Sequence, residues 1–178
     1  MKKIGLILIT IIASFSLIAQ NENNAYTNEF PNYHPLVVHF PLILLIIAAV
    51  MQFVVVYRKI KIYNLTVTVL TVLGFISAVL AATVFHAQPA RNINPVAQRI
   101  FETHQQFAFI TLGLSGIASL IKIAGTFWIN KKWIEISALV ILLASAVTVS
   151  IAGHHGSELV YKQGIGPKGE MLEKEDHH

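Results

Sequence analysis

The sequence predicts an all-α protein, a transmembrane four-helix bundle preceded by a signal peptide, on three observations. Of its 178 residues 54% are apolar and only 12% are charged, about half the charged share of an average soluble domain. Four apolar runs of about 19 to 25 residues are each long enough to cross a hydrocarbon core of about 30 Å. A shorter apolar run opens the chain behind two lysines.

That opening run is the first element. Lys2 and Lys3 form a basic start, 4–17 is apolar, and Ala19-Gln20 offers a small-residue site before the polar Asn21-Glu22-Asn23-Asn24. Its shortness and the polar stretch behind it favour a signal peptide at 1–20 over an uncleaved fifth helix. A short extracytoplasmic segment, 21–33, then leads to the four-helix membrane domain, 34–156. An extracytoplasmic tail is expected at 157–178.

The four spans are expected at 36–57, 62–85, 104–128 and 133–151. Lipid offers backbone groups no water, so such segments must be helices; the period-2 alternation of a membrane β-barrel is absent. Pro35 suits a first turn, where its missing N–H costs nothing. Pro41 is expected to kink the first span by freeing the carbonyl of Val37. Thr103 with Gln106 reads as a capping box opening the third span. Gly74, Ala78 and Ala82 place small residues four apart on the second, where a neighbouring helix can approach closely.

Loop charge sets the orientation. Arg58, Lys59 and Lys61 crowd the first hairpin and Lys131 and Lys132 the last, so both are expected to be cytoplasmic. Tyr57, Tyr63, Trp128 and Trp133 flank the same loops as an interfacial belt. Both mature termini then lie on the outer side of a bacterial inner (cytoplasmic) membrane, as a secretory signal also requires. The lipid bilayer is the expected partner, and no Lys/Arg block is long enough for nucleic acid. The chain has no cysteine, which excludes disulfides, thiolate metal sites, covalent c-type haem and iron–sulfur clusters.

Histidine carries the sharpest pattern. Leaving aside His177 and His178, all of His34, His39, His86, His104, His154 and His155 fall at the extracytoplasmic ends of the expected helices. Each helix contributes at least one. Measured from the aromatic belt at 1.5 Å per residue, His39 and His154 lie at about 27 and 32 Å, and His86 and His104 at about 35 and 36 Å. The first two thus form a deeper pair and the others a shallower one. His34 precedes His39 by five residues, about 140° around a helix, so the two do not share a face. Glu135 is the one carboxylate inside a span before that end. A pathway through the membrane would want ionisable groups at several depths, so the polar chemistry is expected in this single layer.

Imidazole binds haem iron, copper and zinc. A b-type haem takes two axial histidines from different helices, an apolar slot, and polar groups for its propionates. His39 and His154 are the expected axial pair, with His86 and His104 as second ligands or a second pair. Gly153, Gly156, Ala81 and Ala82 leave room for the ring, and Arg91 and Arg99 lie above it for the propionates. A copper or zinc site would use three or four of His39, His86, His104 and His154 with no slot. Histidines at a membrane interface also serve headgroups, water or helix-end carbonyls, and His34 and His155 are assigned there. Three functions stay open. The first is haem-based electron transfer between the quinone pool and an outer-face acceptor, or service in a complex with other redox membrane proteins. The others are copper or zinc handling, and a structural subunit without cofactor. No nucleophile elbow or phosphate loop supports a hydrolase or nucleotide site.

The run Tyr33-His34-Pro35-Leu36-Val37-Val38-His39-Phe40-Pro41 resembles the opening signature of a family of bacterial predicted membrane proteins. Gly153-His154-His155-Gly156, followed by Leu159-Val160-Tyr161 and Gly164-Ile165-Gly166, is similar to its closing pattern. That family is known as domain of unknown function twenty-two thirty-one, and the resemblance spans 32–166. It implies four membrane helices with clustered histidines, sometimes fused to cytochrome-like modules. It also implies an apolar residue at the position of His155, which favours His154 as the ligand.

Overall fold

The computed structural model describes residues 34–58, 60–85, 93–129 and 131–165. The expected signal peptide at 1–20, the segment up to 33, His86, Arg91 and the tail beyond 165 lie outside the described residues. Among the described residues five helices follow one another: α1 (His34–Val37), α2 (His39–Arg58), α3 (Lys61–Ala82), α4 (Pro95–Phe127) and α5 (Lys132–Tyr161). The last four are each long and apolar enough to cross a membrane. Each packs on the next, and α5 returns against α2. Short connections between long neighbours make this an up-down-up-down bundle.

Small and branched side chains fill the middle. Leu45, Ala48, Ala49, Val55, Val67, Ala118 and Leu142 are buried. Ile43, Val50, Val69, Ile76, Ile117, Leu120, Val140 and Val147 stay exposed on the outer faces. An aqueous bundle would bury such residues first; a bundle in lipid has no reason to.

Two expectations about helix ends are corrected, and the interruption expected from Pro41 falls at Val38. The chain breaks at Val38, whose N–H still reaches the His34 carbonyl at 3.0 Å, and α2 starts afresh at His39. Pro41 thereby falls in a first turn, where its missing donor removes no intrahelical bond. The Thr103–Gln106 capping box is not formed. The helix starts earlier, at Pro95, where the Asn94 side chain accepts from the Ala97 N–H at 2.8 Å. An Asn cap followed by proline at the first helical position is a stronger start signal than Thr103. Thr103 sits inside α4 and donates to the Arg99 carbonyl at 2.9 Å. Finally, α5 runs on past Ile151 to Tyr161, so Gly153 to Gly156 are helical.

The two extensions support one another. Ala97, Leu159 and Ile165 form a second small core with Ile93, Ile100 and Phe101 packed around it. Gly164 adopts φ 65°, a left-handed conformation suited to glycine after a helix end. That turn brings the Ile165 N–H back to the Leu159 carbonyl at 3.1 Å.

The small-residue stripe on α3 is buried at Gly74 and Ala78 and half-buried at Ala82. A Cβ added at Gly74 would stand 2.8 Å from Leu45 Cδ2 on α2. Leu45 is itself fully buried, so it has little room to yield. Ala78→Phe should therefore destabilise the bundle by about 1–3 kcal/mol through overpacking, read as lower folded yield and melting temperature in detergent. Unchanged values would place this stripe against lipid instead.

Candidate functional site

At one end of the bundle the histidines gather, and the structure pairs them differently from the depth ruler. The rings of His34 and His104 meet edge to face, centroids 6.3 Å apart and planes at 77°. His34 donates from Nδ1 to the Phe85 carbonyl at 2.7 Å, just past the end of α3. His104 donates from Nδ1 to the Ala152 carbonyl of α5 at 2.8 Å. A carbonyl only accepts, so each Nδ1 carries its proton and Nε2 of a neutral ring holds the lone pair. Gly156 packs on His104: an added Cβ would lie 3.3 Å from its Cε1 and Nδ1.

The other expected site residues lie further out. His39 and His154 are exposed, so the inward convergence expected of them is not what the bundle displays. His154 meets the neighbouring His155 edge to face at 5.5 Å, and His155 Nδ1 stands 3.5 Å from Glu158 Oε2. Gly153 is exposed, and a Cβ there would make ordinary contact with Leu42 at 3.6 Å. Arg99 is exposed and bonds the Pro95 carbonyl of its own helix at 3.4 Å. Of the bordering alanines, Ala81 is buried and Ala82 half-buried. Among the described residues no group of three or more His, Asp or Glu side chains is placed to share a metal ion.

The expectation of a single polar layer is corrected at the opposite, lysine-rich end. Lys122, 1% exposed, forms a salt bridge with Glu135 at 2.7 Å. Its ammonium also donates to Asn64 Oδ1. Gln52 donates from Nε2 to Glu135 Oε2 at 2.8 Å and to the Glu135 carbonyl at 2.9 Å. Thr126 adds a bond to Asn64 Oδ1 at 3.3 Å and shares another with Thr68 at 2.7 Å. The four groups Gln52, Asn64, Lys122 and Glu135 come one from each long helix, stitching the whole ring.

Local sequence explains how a charge pair fits there. Gly125 leaves a gap beside α5, where an added Cβ would be 3.2 Å from Glu135 Oε1. Lys122 and Thr126 are one turn apart on the same face of α4, so both reach inward together. Lys122 was legible as the charge inside the third apolar run, but it was not singled out. Its spacing from Thr111, Ser115, Ser119 and Thr126, steps of three and four, would have marked an inward polar face.

A bundle with an apolar exterior, four spanning helices and buried charge is an integral membrane protein. The chain belongs to the family described as Predicted membrane protein (DUF2231), which it matches over residues 31–169. No curated protein and no solved structure matches it.

Proposed function

We propose that the protein is a membrane redox subunit that holds b-type haem between His34 and His104. The observation that carries this reading is the paired geometry of those two rings. Each comes from a different helix and each gives Nδ1–H to a backbone carbonyl, the second-shell contact that orients a histidine ligand through Nε2. Their ring centroids lie 6.3 Å apart, so the two imidazoles stand at one place in the bundle and would be the residues to hold the group. Two is the number of axial ligands a haem iron takes, whereas zinc and copper sites take three or four. Gly156 supplies a flank without a side chain next to His104.

Haem would supply one-electron chemistry; the chain's own part is to orient two imidazoles and keep an apolar wall around them. With both Lys-rich hairpins cytoplasmic and both mature termini outside an inner membrane, this end faces outward. Electrons would then pass between the quinone pool and an outer-face acceptor, or within a larger redox complex. Copper or zinc handling is the second reading.

The test is an optical spectrum of the detergent-purified protein, oxidised and reduced. A Soret band with reduced α and β bands is the expected result. No absorbance together with bound copper or zinc would support the second reading. Neither would leave an accessory subunit without cofactor.

A further inference from the structure

Buried polar side chains in the described residues line up along the axis. Besides the network around Lys122, the buried ones are Thr71, Thr111, Ser115, Ser119 and Ser145. On α4, Lys122, Ser119, Ser115 and Thr111 recur at steps of three or four, the spacing of one helix face. The row rises about 17 Å at 1.5 Å per residue. That is over half of a hydrocarbon core about 30 Å thick. Neighbouring helices widen it: Ser119 Oγ reaches the Thr71 carbonyl on α3 at 3.3 Å, and Thr111 donates to Thr148 on α5 at 2.8 Å.

Most of these hydroxyls bond a carbonyl one turn back, as Ser119 does to Ser115 at 2.8 Å and Thr71 to Val67 at 2.7 Å. Thr66 and Ser150 do the same on exposed faces, so the bond itself says little. Position says more, and so do two atoms with no such bond. Gln52 Oε1 and Ser145 Oγ are buried without a hydrogen-bond partner among the described residues. Both residues are fully buried, one in the ion-pair network and one further along the axis. Buried polar atoms are normally satisfied, and where protein does not do it water does.

We propose that the bundle axis is a proton path, entered at the Lys122–Glu135 pair and continued by the hydroxyl row and by water bound at Gln52 and Ser145. It is independent of the haem reading. Lys122 releases one proton into the row and becomes a neutral amine. Glu135 takes one from the lysine-rich side and passes it to Lys122, restoring ammonium and carboxylate. One proton has then passed from the lysine-rich side into the hydroxyl row with no net change at the pair. Glu135 faces Lys122 from α4 and the uncharged Gln52 from α2, while Lys122 also faces the uncharged Asn64 from α3. Intramembrane ionisable groups paired in this way mark proton relays in other membrane proteins.

The full-length protein in liposomes, with a trapped pH dye and a potassium gradient released by valinomycin, tests the path. The wild type should move protons faster than protein-free liposomes. Ser145→Ala, which removes an unpartnered hydroxyl at little structural cost, should slow the flux. The double variant Lys122→Met with Glu135→Gln should fall to the protein-free rate. A wild type no faster than protein-free liposomes overturns the proposal, as does a folded double variant or Ser145→Ala that conducts like wild type. No cofactor enters this measurement, so its failure would leave the haem reading standing, and a missing Soret band would leave the path standing.

Discussion

Replacing Lys122 alone by Met should cost about 3–5 kcal/mol, the penalty for stranding one member of a buried ion pair. The substitution leaves the Glu135 carboxylate in contact with Gln52 but without its cation. Asn64 Oδ1 loses its ammonium donor and keeps the weaker bond from Thr126. Because the four residues come from four helices, the loss loosens every helix contact at that end. Thermal melting in detergent and folded yield both read it. Adding Glu135→Gln should recover most of the loss, since exchanging an entire buried pair for neutral groups is often close to neutral. A single variant as stable as wild type would mean that water reaches Glu135 and screens it.

His104→Ala should abolish bound haem while leaving the folded protein, and His34→Ala should do the same or leave a weakly held, five-coordinate haem. His39→Ala and His154→Ala should retain it, because both residues are exposed while His104 is held against Ala152. The Soret absorbance per protein in size-exclusion-purified variants measures this. The reverse result, haem lost with His39→Ala or His154→Ala and kept with His104→Ala, would restore the pair that depth alone selects. For the copper or zinc reading, bound metal by elemental analysis should follow His104 in the same way.

The contrast between those two pairs shows what was legible. Four helices were readable because lipid forces any apolar run of spanning length into one conformation. Azimuth was not: which side of α2 faces α5 depends on how four helices rotate against one another. His39 and His154 are exposed and His104 is half-buried, a difference that position along a helix does not reveal. His34 does not share a face with His39 on one continuous helix, but the two belong to separate helices, α1 and α2, with Val38 between them. The ends of α4 and α5 were missed for a different reason. They continue beyond the apolar runs, where Asn94-Pro95 and the packing of Ala97 on Leu159 hold the helices. The Lys122–Glu135 pair escaped because its members belong to different spans, and one was hidden inside the third apolar run.

Helix α4 also turns its own polarity inside out. In its first turns Ala97 is buried while Gln98 and Glu102 are exposed, as on a helix in water. From Thr111 onward the buried residues are Thr111, Ser115, Ala118, Ser119, Lys122 and Gly125, while Ile117 and Leu120 are exposed, as is Ile110 just before them. The inward side of one continuous helix thus passes from greasy to wet, and His104 stands between the two regimes. Sliding the helix along the membrane normal would push Glu102 into oil or lift Ile110 into water. The reversal acts as a waterline drawn on the protein. Its consequence is a preferred depth for α4 in a bilayer, set by the sequence of the helix itself.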